Sequence, residues 1–310
     1  MTTRSGQFMR VEAPLLGSTG TDGAGAPEDD VRHTSYAGVP ALERLEIELL
    51  LEAVFRHYGY DFRQYAFSSL RRRLKKRLEA EGLRTFSQLQ DRVLHDPTAM
   101  EGMLRDMSVN VTGMFRDPTF FLSLRKNVIP LLRTYPFVRI WHAGCATGEE
   151  VYATAILLEE EGLYDRARIY ATDLNVHALD RAKAGIFPLA RMREYTAAYQ
   201  QAGGLRSFSE YYTANYDAAL FDSRLRRNVL FAQHNLATDT SFSEFNLIFC
   251  RNVLIYFDRH LKARALKLFS DSFAPFGILC LGRRESLRFT DCETEYDEID
   301  TKERIYRRKR

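Results

Sequence analysis

The sequence predicts an α/β protein: a small N-terminal helical bundle followed by a Rossmann-like domain with a small inserted subdomain. Three observations predict it. Residues 41–107 place apolar side chains at helical spacing. From Phe137 onward, short apolar runs alternate with helical stretches, the pattern of a mostly parallel sheet with helices on both faces. Several of those runs stop abruptly at glycine or polar residues, and open α/β sheets bind ligands at the carboxyl ends of their strands.

In chain order, residues 1–40 are rich in Gly, Ser, Thr and Pro and are expected to be a mobile tail. Helices are predicted over 41–62, 68–80, 86–95 and 98–107. In the second, Leu70, Leu74 and Leu78 form one apolar seam, and the basic residues occupy the other faces. Residues 108–136 read as a linker, with Asp117-Pro118 as N-cap and first position of a helix running through Leu132. The sheet domain spans 137–310. Its strands are predicted at 138–143, 168–172, 229–233, 245–250 and 278–281, with a last edge strand at 304–307. Its helices are predicted at 148–161, 176–184 and 259–273. Residues 188–228, rich in Tyr and Ala, fit neither period and are assigned to an inserted subdomain.

The 310 residues suffice for one large domain or two ordinary ones. At 45% hydrophobic and 27% charged, with no apolar run of about 18 residues and no secretion signal, the expectation is a soluble cytoplasmic protein. Cys145, Cys250, Cys280 and Cys292 form no CxxC pair, so free thiols are expected, with neither a disulfide framework nor a metal site. The net charge of +3 says little about partners. The crowding of Arg71, Arg72, Arg73, Lys75, Lys76 and Arg77 says more: it marks a solvated face, a nucleic-acid patch or a docking helix.

Four segments have the residue types of a ligand site. In residues 140–150, a strand runs through Gly144 and Gly148 into a helix, and glycine there lets backbone approach a ligand; a tight structural turn would look the same. Asp173, ending the second strand, suits ribose hydroxyls or a helix N-cap. The apolar run 245–250 breaks into Arg251-Asn252, with Tyr256 a turn later as a crevice residue or a core aromatic. Residues 110–117, within the linker, alternate Asn110 and Thr112 with apolar residues and end in Arg116-Asp117.

Taken in order, these segments resemble the CheR family of chemoreceptor glutamate methyltransferases. The family pattern is close to NVTxFFRD, AGCSTGEEPYS, ATDID, hNL and FCRNVLIYFD. This chain has NVTGMFRD, AGCATGEEVYA, ATDLN, HNL and FCRNVLIYFD, and its Ser69–Leu74 run is similar to the family's basic helix. The resemblance extends over residues 41–310. It departs at Val151, where the family has Pro, and at Gly282-Arg283-Arg284-Glu285, where the family often has GHSE.

The resemblance implies S-adenosylmethionine as cofactor and S-adenosylhomocysteine as product. It implies cofactor contacts from Asn110, Thr112, Arg116, Glu150, Asp173, Asn235, Leu236, Arg251 and Asn252, beside Gly144. Glu150 would face the methionyl ammonium, and Arg116 and Tyr256 would orient the substrate carboxylate. The basic helix would dock on acidic cytoplasmic helices of methyl-accepting receptors, with no nucleic acid, no membrane insertion and a monomer as the simplest state. The rivals are a methyltransferase for another substrate and a catalytically weak scaffold, since a fold does not fix a substrate.

Overall fold

The computed structural model describes residues 39–107 and 112–309. Most of the expected tail and Asn110 therefore lie outside the described residues. Helices α1 (Ala41–Tyr58), α2 (Phe67–Glu81), α3 (Phe86–His95) and α4 (Pro97–Met107) make the N-terminal bundle. Gly59 stops α1 four residues short of the expected end, in the left-handed region at φ 77° where a Cβ is costly. Thr85 opens α3 with a reciprocal capping box to Gln88. Ile47, Leu50 and Val54 of α1 are buried with the predicted seam of Leu70, Leu74 and Leu78.

The linker helix is broken rather than continuous. It runs as α5 (Pro118–Ser123), a π-helical turn (Leu124–Val128) and α6 (Ile129–Leu132). Pro130 has no N–H to donate back to the preceding turn, which favours a change of hydrogen-bond pattern there. Asp117 is not a side-chain cap: it adopts φ 56° and makes no capping bond, because its carboxylate is engaged by Arg251.

The sheet domain continues with β1 (Val138–Ala143), α7 (Glu149–Glu160), β2 (Ala167–Asp173) and α8 (Val176–Ala184). The insertion holds β3 (Ile186–Pro188), α9 (Met192–Gln201), β4 (Tyr212–Asn215) and β5 (Ala218–Phe221), with its own sheet in the order β3-β5-β4. Then come β6 (Val229–Gln233), β7 (Phe245–Cys250), α10 (Arg259–Asp271), β8 (Phe273–Leu281), β9 (Tyr296–Asp300) and β10 (Ile305–Arg308). The main sheet has the order β6-β2-β1-β7-β8-β10-β9; its first five strands are parallel, and β10 pairs antiparallel with both β8 and β9. The expected edge strand is thus internal, and β9 is the edge. Only Tyr296 of β9 is fully buried and its neighbours are acidic, so it carries no apolar signal.

Alternation along the parallel strands builds two cores. Ile140, Ile169, Leu247 and Phe249 face α7 and the linker, while Trp141, Ile248 and Leu279 face α10. All four cysteines are free. Among the described residues, no helix is long and apolar enough to cross a membrane.

Candidate cofactor site

A cleft opens at the carboxyl ends of β1, β2 and β7, where open α/β sheets bind their ligands. Thr112, Arg116, Gly144, Glu150, Asp173, Asn235, Leu236, Arg251, Asn252 and Tyr256 all line it. Every described residue assigned to cofactor or substrate from the sequence therefore meets in one place.

The floor is the turn between β1 and α7. Gly144 (φ 82°) and Gly148 (φ 90°) both occupy the left-handed region. A Cβ on Gly144 would lie 2.6 Å from Val253 Cγ2, so the turn fits against the 251–256 segment only as glycine. Asp173 ties this turn to the end of β2: its Oδ2 accepts from Ala146 N–H at 2.8 Å and its Oδ1 from Asn175 N–H at 2.9 Å. The helix N-cap is instead Asn175, which accepts from His177 and Ala178. Burial raises the Asp173 carboxyl, and those backbone donors oppose the rise.

One wall is a buried charge cluster. Arg251 Nη1 lies 2.5 Å from Glu150 Oε2, and Nη2 lies 2.6 Å from Asp117 Oδ2. The guanidinium stacks 3.9 Å above the Phe120 ring. His142 Nδ1 is 3.3 Å from the other Glu150 oxygen, its ring stacked on Phe249. Burial alone would raise the Glu150 carboxyl, but Arg251, aided by His142, holds it down to about 2. Glu150 is thus a fixed anion at neutral pH.

A second wall is the 252–257 segment. Asn252 sits at φ 62°, and its N–H donates to Glu285 Oε2 at 2.9 Å. The same oxygen accepts from Gly282 N–H at 2.6 Å, and Oε1 accepts from Ile255 N–H at 3.2 Å. Glu285 is buried and shapes the loop that carries Tyr256. Its role was missed in the sequence, although the retained Glu of the divergent GRRE run was a signal.

The helical bundle forms the rim. Phe62, Tyr65 and Met107 line the cleft. Ala66 N–H donates to Tyr256 O, Asp258 N–H donates to Gln64 O, and the Tyr65 and Phe257 rings meet edge-on at 5.2 Å. Arg73 of α2 lies 4.4 Å over the Tyr256 ring and donates to Met107 O at 2.5 Å.

That geometry corrects the picture of a uniformly exposed basic helix. Arg73 is buried. Arg71 and Lys75 both reach Glu43, and Arg77 is held by Asp106, Glu81 and Gly102 O. Arg72 and Lys76 are exposed. Arg71, Lys75 and Arg77 are half-buried and paired, because α1 and α4 bring acidic side chains to α2.

The cleft suits S-adenosylmethionine in its own chemistry. It offers a carboxylate at a strand end for a diol, a fixed anion for an ammonium, and apolar Leu236 and Val253 for a heterocycle. His234 also lines it, and the buried Nδ1 of that residue has no hydrogen-bond partner, leaving one polar atom unsatisfied by the protein.

Comparisons with known proteins agree. Residues 110–304 match the domain described as "CheR methyltransferase, SAM binding domain", and residues 45–108 match "CheR methyltransferase, all-alpha domain". The chain is 51% identical to "Putative methyltransferase Cher3" of Pseudomonas putida, over 85% of this chain and 97% of that one. It is 29% identical to a chemotaxis protein methyltransferase of Listeria innocua, over 80% of this chain and 92% of that one. It is 30% identical to chemotaxis protein methyltransferase 2 of Pseudomonas aeruginosa, over 78% and 87%. S-adenosylmethionine is the cofactor of the matched domain.

Proposed function

We propose that this chain, which belongs to the CheR methyltransferase family, methylates glutamate carboxylates on the cytoplasmic helices of chemoreceptors. The product is a glutamate methyl ester used in signalling adaptation. Bound S-adenosylmethionine supplies an electrophilic methyl group on a sulfonium. A glutamate is already ionised near neutral pH, its ordinary pKa being about 4.3. The protein therefore needs no strong base; it must align the carboxylate and strip part of its water.

The observation that supports this reading best is the place of Tyr256. It lines the cleft, and its ring is covered by Arg73 from the basic helix. A substrate docked on α2 would bring its side chain to the same point. Tyr256 and Arg116 orient the incoming carboxylate, Glu150 holds the methionyl ammonium, and Asp173 holds the ribose. The outward Arg72 and Lys76 steer the chain, as a monomer in the cytoplasm, to acidic receptor helices.

The test is methyl transfer from radiolabelled S-adenosylmethionine to receptor-bearing membranes of the same organism, followed by alkali and assay of volatile methanol. Base-labile label on a receptor is the expected result. Tight S-adenosylhomocysteine binding without transfer would refute the substrate class while leaving the cofactor site intact.

A further inference from the structure

The segment after β8, residues 282–292, has no part in cofactor binding, yet the topology brings it to the cleft. Strands β7 and β8 run parallel with Cys250 opposite Leu281, so residues 282 onward emerge beside Arg251 and Asn252. The loop is anchored there at three points. Glu285 accepts from Asn252 and Ile255, Arg283 binds Glu303 at 2.8 Å, and Leu287 is buried in the α10-side core.

What this anchored loop presents outward is two cations and an aromatic ring. Arg284 and Arg288 are exposed, and among the described residues neither side chain makes an ion pair. Phe289 is 98% exposed at φ 62°. A bulky residue in the left-handed region is uncommon, and a wholly solvated aromatic contributes nothing to the core. Cations flanking an exposed ring are typical of a surface that receives a partner.

We propose that residues 284–289 form a second docking edge for the protein substrate, with Arg284 and Arg288 taking acidic side chains and Phe289 supplying an apolar contact. The proposal rests on the functional reading above and extends it. Both edges reach the Tyr256 segment: α2 through Arg73 over the Tyr256 ring, and the 282–292 loop through Glu285, which accepts from the N–H of the neighbouring Ile255. An acidic helix over the cleft would then be gripped by Arg72 and Lys76 on one side and by Arg284 and Arg288 on the other. Arg283 takes no part, because Glu303 holds its guanidinium, with Asp117 3.7 Å away.

The experiment measures methyl transfer to a purified receptor cytoplasmic fragment by the full chain and by Arg284→Glu/Arg288→Glu. A control carries Arg139→Glu/Lys267→Glu; Arg139 lies near the start of β1, and Lys267 lies late in α10, ahead of β8. Expected at low salt is a rise of about tenfold in the KM for the fragment with the loop variant, with a shallower salt dependence. Its kcat and S-adenosylhomocysteine affinity should be unchanged, and the control should behave as wild type. Phe289→Ser should raise the KM severalfold even at high salt. An unchanged KM in the loop variants, or an equal rise in the control, overturns the second edge alone. Absence of transfer by the wild type to any receptor overturns both this proposal and the functional reading beneath it.

Discussion

Arg251 Nη1 stands 2.5 Å from Glu150 Oε2, and the Arg251 side chain is only 1% exposed. Two charges taken from water are stable only as a set, and the removal of one leaves the other uncompensated, at a cost of about 3 kcal/mol or more. Asp117 keeps part of that compensation here. Glu150→Gln should therefore destabilise the fold and weaken cofactor binding together. The pH dependence is specific. The folded Glu150 carboxyl is held near 2, below its ordinary 4.5, so its contribution is complete above about pH 4.5 and lost as pH falls toward 2. The Tm gap between wild type and Glu150→Gln should shrink over that interval. A gap that stays constant would show that the charge of Glu150 is not what stabilises the wall.

The parallel strands and the cleft residues were legible because their signals are local. An apolar run such as Phe245–Cys250 ending at Arg251-Asn252 says both where the strand stops and where polar chemistry begins. The insertion was illegible because its core is built from Tyr195, Tyr199 and Tyr211 around Phe208, not from a periodic aliphatic pattern. The roles of Asp117 and Arg73 were misread for a related reason. Asp-Pro before a helix looks like a cap, and an Arg in a basic run looks solvated, until a distant partner claims each: Arg251 in one case, Tyr256 and Met107 O in the other.

The division within the basic helix leads to separable phenotypes. Arg77 is mostly buried and bonds to Asp106, Glu81 and Gly102 O. Arg77→Ala should lower stability by about 1–2 kcal/mol, through loss of the buried hydrogen bonds more than of the ion pairs. Arg72→Glu/Lys76→Glu, both exposed, should leave the Tm within a degree or two and raise the KM for the receptor. Thermal unfolding alongside initial-rate kinetics separates the two. Equal Tm losses in both variants would contradict the division.

Gly144 joins backbone conformation to cofactor affinity. At φ 82°, with Val253 Cγ2 2.6 Å from the place of a Cβ, Gly144→Ala is both strained and crowded. The expected cost is about 1–2 kcal/mol of stability from the left-handed conformation, with the Val253 contact added to it. Because Val253 belongs to the same wall of the cleft, S-adenosylhomocysteine affinity measured by calorimetry should fall by tenfold or so. Unaltered affinity would mean that the turn adapts and that its close approach to the wall is not required.

Tyr256 allows the hydroxyl to be tested apart from the ring. Phenylalanine at this position keeps the face that Arg73 covers at 4.4 Å and leaves the backbone bond from Ala66 N–H in place. Tyr256→Phe should thus fold normally and bind S-adenosylhomocysteine within about twofold of wild type. If the hydroxyl orients the carboxylate at the moment of transfer, kcat should fall by about 10²-fold, the usual cost of removing one donor aimed at a transition state. Tyr256→Ala should lose the ring stacking as well and show a lower Tm. Full turnover by Tyr256→Phe would refute the orienting role and leave alignment to Arg116 and the docking surfaces. A parallel loss of cofactor affinity would place the hydroxyl in the binding site rather than in the chemistry.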